Sequence, residues 1–174
     1  MTASPNRSGT ADTRHPAQWL ALAIGVLYTV VGIWGFTQTG FSDFTSPDGE
    51  LLFGLFEVNP LHNIVHLVIG LAGLALWGHL ATARMYGWML AVGYGVVFVL
   101  GLFVAGTQEP ANFLALNTGD NWLHLVSALA GLAIALWPAR DRRRGTATTG
   151  TYGTPGDSIT RADTGTRRRT RPRP

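Results

Sequence analysis

Asn63-Ile-Val-His66-Leu-Val-Ile-Gly70-Leu-Ala-Gly73-Leu-Ala75 recurs later in the chain as Asn121-Trp-Leu-His124-Leu-Val-Ser-Ala128-Leu-Ala-Gly131-Leu-Ala133. Each copy sets a His three residues after an Asn and follows it with an apolar run whose small residues fall on one helical face. Both copies lie in apolar segments of a length suited to crossing a bilayer. The repeat describes a small, internally duplicated membrane protein and leaves its activity open.

Composition points the same way. The 174-residue chain is 47% hydrophobic and only 13% charged, too apolar for an ordinary soluble domain. Its charges are confined to tails and loops, apart from Arg84 between two apolar blocks. A bilayer imposes that segregation, because a charge at the centre of a membrane helix costs about 2.5 to 3.5 kcal/mol. The absence of cysteine excludes disulfides, thiolate zinc sites, iron–sulfur clusters and a thiol nucleophile.

The expected fold is all-α: an integral membrane four-helix bundle built from two parallel helical-hairpin repeats. Its domain, residues 17–138, would hold spans at about 17–36, 61–80, 85–106 and 119–137, each near the twenty residues that a crossing needs. Residues 1–16 and 139–174 are too polar to pack, and are expected to be disordered cytoplasmic tails. The first apolar run is longer than a signal-peptide core and favours a span. Asn59-Pro60 reads as N-cap and first helical residue of the second span. Between the first two spans, Leu51 to Phe56 suits a short interfacial helix or a segment packed over the bundle. The two long loops are acidic, whereas the N-terminal tail, the turn at Arg84 and the C-terminal flank are basic. That asymmetry predicts a multi-pass plasma-membrane protein with both termini cytoplasmic.

The halves match beyond the opening repeat, Tyr28 and Gly35 in the first span corresponding to Tyr94 and Gly101 in the third. An even number of spans per unit keeps the second copy in the orientation of the first. On the second span His62, His66, Gly70, Gly73 and Trp77 share one stripe; on the fourth, Asn117, Asp120, His124, Ala128 and Gly131 do. Asn63, Gly70, Gly73, Asn121 and Gly131 are therefore expected to pack helix against helix, with Gly25, Gly32, Gly87, Ala91 and Gly101 receiving them. The histidines should face protein.

Three functions are compatible with these residues. Neutral His and Asn side chains can simply tie helices together in a non-enzymatic scaffold or accessory protein. His62 and His66, spaced i,i+4, could instead bind a divalent metal with His124, and with Asp120 and Glu57 as oxygen ligands or supporting partners. His66 and His124 could also be the axial ligands of a haem. The third function is a small proton or solute conduit using His66, His124 and Asp120. No catalytic residue and no resident cofactor is assigned. Tyr28 and Tyr94 are expected to bond neighbouring carbonyls, and Glu57 to belong to a solvated face. The partners expected are the bilayer itself, anionic lipid headgroups at Arg140, Arg142, Arg143 and Arg144, and further copies of the chain in a homo-oligomer, but not nucleic acid.

The run Phe56-Glu-Val-Asn-Pro-Leu-His-Asn-Ile-Val-His66, the Gly-Leu-Ala-Gly run after it, Ala83-Arg-Met-Tyr86 and Asp120-Asn-Trp-Leu-His124 together resemble an actinobacterial family of four-span membrane proteins known as domain of unknown function forty-three eighty-three. The resemblance covers about residues 17–138. It implies the same architecture and attaches no activity to it.

Overall fold

The computed structural model describes residues 14–139. The expected disordered tails, apart from their innermost residues, and the arginines from Arg140 onward lie outside these. Among the described residues the chain forms helices α1 (Pro16–Thr39), α2 (Pro60–Leu76), α3 (Leu80–Val104) and α4 (Thr118–Leu136), with a small hairpin of β1 (Glu50–Leu52) and β2 (Phe56–Val58) between α1 and α2. Three of the helices, α1, α3 and α4, are long and apolar enough to cross a membrane; α2, with 17 residues, is shorter.

Local chemistry sets these boundaries. His15 caps α1 through a capping box with Gln18, so that Pro16 opens the helix instead of closing the tail. Asn59 accepts a hydrogen bond from the His62 amide at 2.9 Å, and Pro60 follows it as the first helical residue. The second and third helices differ from expectation: α2 stops at Leu76, and α3 starts at Leu80 rather than near Met85. Thr82 is the reason for the tight corner, since its hydroxyl donates to the carbonyls of Leu76 (2.6 Å) and His79 (3.0 Å). The exposed carbonyls at this end are covered by donors from the neighbouring helix. Gln18 Nε2 donates to Trp77 and Gly78, and Arg84 donates to Trp137.

The Leu51–Phe56 segment is not an interfacial helix. Glu50 pairs with Val58, Leu51 with Glu57 and Leu52 with Phe56 in an antiparallel ladder. The turn places Phe53 at φ 55° and Gly54 at φ 69°. Gly54 takes that conformation at no steric cost, while Phe53 does so against its preference.

The helices pack α1 against α2 and α3 against α4, and glycine decides how closely. A Cβ at Gly73 would stand 2.7 Å from Gly25 Cα and 2.8 Å from the Tyr86 hydroxyl. At Gly131 it would stand 2.6 Å from both the Ala91 nitrogen and the Gly87 oxygen. Asn63 lies against Gly35 of α1 as Asn121 lies against Gly101 of α3. The side chains that pack inside the bundle include Ala17, Ala21, Ala83, Tyr86 and Leu90, whereas large aliphatic residues such as Val68, Val96 and Leu102 are exposed on the outside. Such an arrangement is stable only where the surroundings are themselves apolar.

Gly73→Ala and Gly131→Ala should therefore each lower the melting temperature in detergent, by the equivalent of about 1 to 3 kcal/mol for an overpacked contact. Gly93, where an added Cβ meets nothing within 4 Å, is the control. Gly93→Ala should leave stability unchanged or raise it by up to about 1 kcal/mol, the helix-propensity gain.

Candidate metal centre

α2 and α4 both begin at the hairpin end of the bundle, so a residue early in one can meet its counterpart in the other. His62 and His66 are one turn apart on α2, and His124 stands at the position on α4 that the sequence repeat equates with His66. Each imidazole offers one nitrogen, and the three nitrogens lie within 4.8 Å of one another. The ring centroids are 4.4 Å apart for His62 and His66, and 5.7 Å apart for His62 and His124. All three residues are at least 96% buried. The Nδ1 atom of each has no hydrogen-bond partner among the described residues.

Aromatic rings support the cluster from the bundle interior. Tyr28 lies 5.1 Å from His66, Tyr94 lies 5.3 Å from His124 in a stacked arrangement, and Tyr28 and Tyr94 stack on each other at 5.3 Å. Neither hydroxyl bonds a carbonyl, contrary to expectation. Ser127 Oγ donates to the Leu123 carbonyl at 2.8 Å, so Tyr28 is the donor in its 2.6 Å bond to Ser127. The Tyr94 hydroxyl has no partner among the described residues.

The acidic candidates do different work. Asp120 occupies the repeat position of His62, yet it lies outside the imidazole cluster. Its Oδ2 accepts from the Glu57 amide at 2.9 Å and from the Asn117 amide at 3.1 Å. Asn117 Oδ1 in turn accepts from the Asp120 amide at 2.9 Å, completing a capping box. Asp120 thus joins β2 to the start of α4. Glu57 is half-buried rather than part of a solvated face, its Oε1 accepting from the Gly49 amide at 3.0 Å.

The packing candidates all lie at helix contacts. Gly70 faces Thr29, Gly73 faces Gly25, and Gly131 faces Gly87 and Ala91. Asn63 Nδ2 donates to Thr39 Oγ1 at 3.0 Å, while the Oδ1 atoms of Asn63 and Asn121 have no partner among the described residues. Sequence reasoning missed Ser127, which no spacing marks as the partner of Tyr28. It also missed Asn112, whose Nδ2 donates to the Thr107 and Leu116 carbonyls and whose Oδ1 accepts from the Leu116 amide, shaping the α3–α4 loop.

Long apolar helices with an apolar exterior and a buried imidazole cluster define a helical membrane protein with a polar centre near one end. The chain belongs to the family described as Domain of unknown function (DUF4383), whose profile matches residues 18–137. No curated protein and no solved structure matches it.

Asp120→Ala should loosen the hairpin on α4, leaving the Asn117 Nδ2 bond to the Leu55 carbonyl as a remaining tie. Amide exchange at Glu57 and Asn117 is expected to accelerate, with a stability loss of about 1 to 3 kcal/mol for two charge-assisted bonds. Unchanged protection at both amides would contradict this role.

Proposed function

We propose that this protein is a membrane metal-binding protein, in which His62, His66 and His124 hold one divalent transition-metal ion of the zinc or copper class. The observation that carries the reading is the meeting of three buried imidazoles whose Nδ1 atoms are all left without a partner. A neutral imidazole in an apolar setting needs a partner for each ring nitrogen, and an orphan costs about 1 to 3 kcal/mol. One metal ion satisfies three lone pairs together. Nitrogens bound at 2.0 to 2.1 Å in a tetrahedral site stand about 3.4 Å apart, and side chains already within 4.8 Å reach that spacing by small rotations.

Three nitrogen ligands with no thiolate suit zinc, copper, nickel or cobalt rather than calcium or magnesium. A single ion is favoured over haem because His62 and the Tyr28–Tyr94 stack occupy the flanks that a macrocycle between His66 and His124 would need. Depth in the membrane also suits an ion. His66 and His124 are each the seventh residue of their helices, so they lie about 9 Å from the helix starts, where charge is less costly than at mid-bilayer.

The reading extends to placement in the membrane. All four helices cross the plasma membrane, α2 spanning about 25 Å by its helical rise and the remainder by local thinning or by the residues flanking it. Arg14 and Arg84 near one end, and Asp43, Asp48, Glu50, Glu57 and Glu109 near the other, support cytoplasmic termini with the metal centre toward the outer face. The matched pairs Tyr28–His66 and Tyr94–His124 support descent from one duplicated helical hairpin.

Elemental analysis of detergent-purified protein, exchanged against zinc, copper, nickel or cobalt and freed of excess ion, tests the centre. One ion per chain is expected. At a free-ion concentration of about 100 Kd it should add about 2.7 kcal/mol of stability. His62→Ala, His66→Ala and His124→Ala should each abolish stoichiometric binding, and Asp120→Asn should retain it. Failure of all four ions to bind, or stoichiometric binding to a variant lacking all three histidines, would overturn the assignment.

A further inference from the structure

A cavity of about 190 Å³ adjoins the histidine cluster, with His66 in its wall. Its walls come from α1 (Leu27, Tyr28), from the hairpin (Phe53, Phe56), and from His66 and Leu123. The sequence repeat predicts a matching space on the other side of the bundle, since Val31 and Leu123, which line the cavity, correspond to Val97 and Val65. That space is filled: Val97 and Val65 pack against Leu114 and Leu116 of the α3–α4 loop. The hairpin covers the first side without filling it.

The shape and lining of the opening indicate what could enter. Leu27 is 57% exposed and Phe53 61% exposed, and both belong to the apolar exterior, so an occupant would arrive from lipid. The interior is mostly apolar and aromatic, with His66 and Asp120 as the polar residues of its wall; with the His66 Nδ1 lone pair given to the ion, Nε2 carries the ring proton and is the nitrogen that can donate. Pockets of this kind bind an apolar body and orient it through one or two polar atoms. Tyr28, Phe53 and Phe56 offer faces and edges for a flat ring. The volume accommodates one small ring system and leaves any tail in the membrane. Phe53 is held at φ 55°, with Trp34 against it at 4.9 Å; a disfavoured backbone conformation kept at the cavity wall is the kind of strain that binding sites retain.

We infer that this cavity is a binding site for the ring of a lipid-borne quinone, with a ring carbonyl accepting a hydrogen bond from the His66 imidazole. The site needs no metal in the neighbouring centre. It assigns binding to the cavity and no electron transfer.

Titration calorimetry on the full chain in nanodiscs, using 2-methyl-1,4-naphthoquinone and 2-methylnaphthalene as probes, tests the inference. The quinone should bind about tenfold more tightly than the hydrocarbon, the value of one good hydrogen bond. His66→Phe should erase that preference. Leu123→Trp, filling the cavity, and Leu27→Trp, closing its mouth, should each prevent binding of both probes while metal stoichiometry is unchanged. His124→Ala, which removes a metal ligand outside the cavity wall, should leave the preference intact; its loss there would mean that the quinone binds through the ion, and the inference would fail. Equal affinity for the two probes would make the cavity a seat for acyl chains only and would overturn the inference, as would quinone binding that survives both tryptophan variants.

Discussion

Backbone-to-backbone approach at glycine is the constraint on which the rest of the structure depends. Helices in lipid gain little by burying apolar surface against each other, so their association rests on close packing and on polar contacts that the bilayer cannot supply. Gly25 against Gly73, and Gly87 against Gly131, bring each helix pair together until an added methyl group would collide with backbone. That proximity sets the height at which His66 meets Tyr28 and His124 meets Tyr94. At that height three imidazole nitrogens from α2 and α4 lie within 4.8 Å of one another.

The centre breaks the repeat that produces it. His66 and His124 occupy equivalent positions, but His62 on α2 faces a counterpart, Asp120, that has been turned to structural use. The Glu57 amide on the Asp120 carboxylate and the Asn117 side-chain amide on the Leu55 carbonyl hold the hairpin to α4, and the hairpin in turn roofs the cavity beside His66. The third nitrogen of the cluster and the open space next to it thus arise where the halves differ.

Much of this was legible in the residues, and the failures have physical causes. Asn59-Pro60 announced the start of α2, and the paired Asn-x-x-His motifs placed His66 and His124 at one level. The glycine stripes followed from helical period. The hairpin was hidden because Leu51-Leu-Phe-Gly-Leu-Phe56 has no alternation to separate strand from helix, and only Gly54 hinted at a turn. Asp120 suits an oxygen ligand or a supporting partner by residue type, but Asn117-x-x-Asp120 is also a capping signature, and the backbone claims it. The charge of Arg84 marks loop and sets the expected third span late, whereas its side chain reaches the Trp137 carbonyl from within the first turns of α3. No periodicity could foretell the cavity, which depends on Leu114 and Leu116 of a loop filling one flank alone.

The convergence of three imidazoles on one ion is the central claim, and X-ray absorption at the zinc edge of metal-loaded protein in detergent tests it most directly. The account predicts three histidine nitrogens at about 2.0 to 2.1 Å with the multiple-scattering pattern of imidazole, and one further light ligand. A coordination shell built from oxygen alone, or one with a single imidazole, would contradict it.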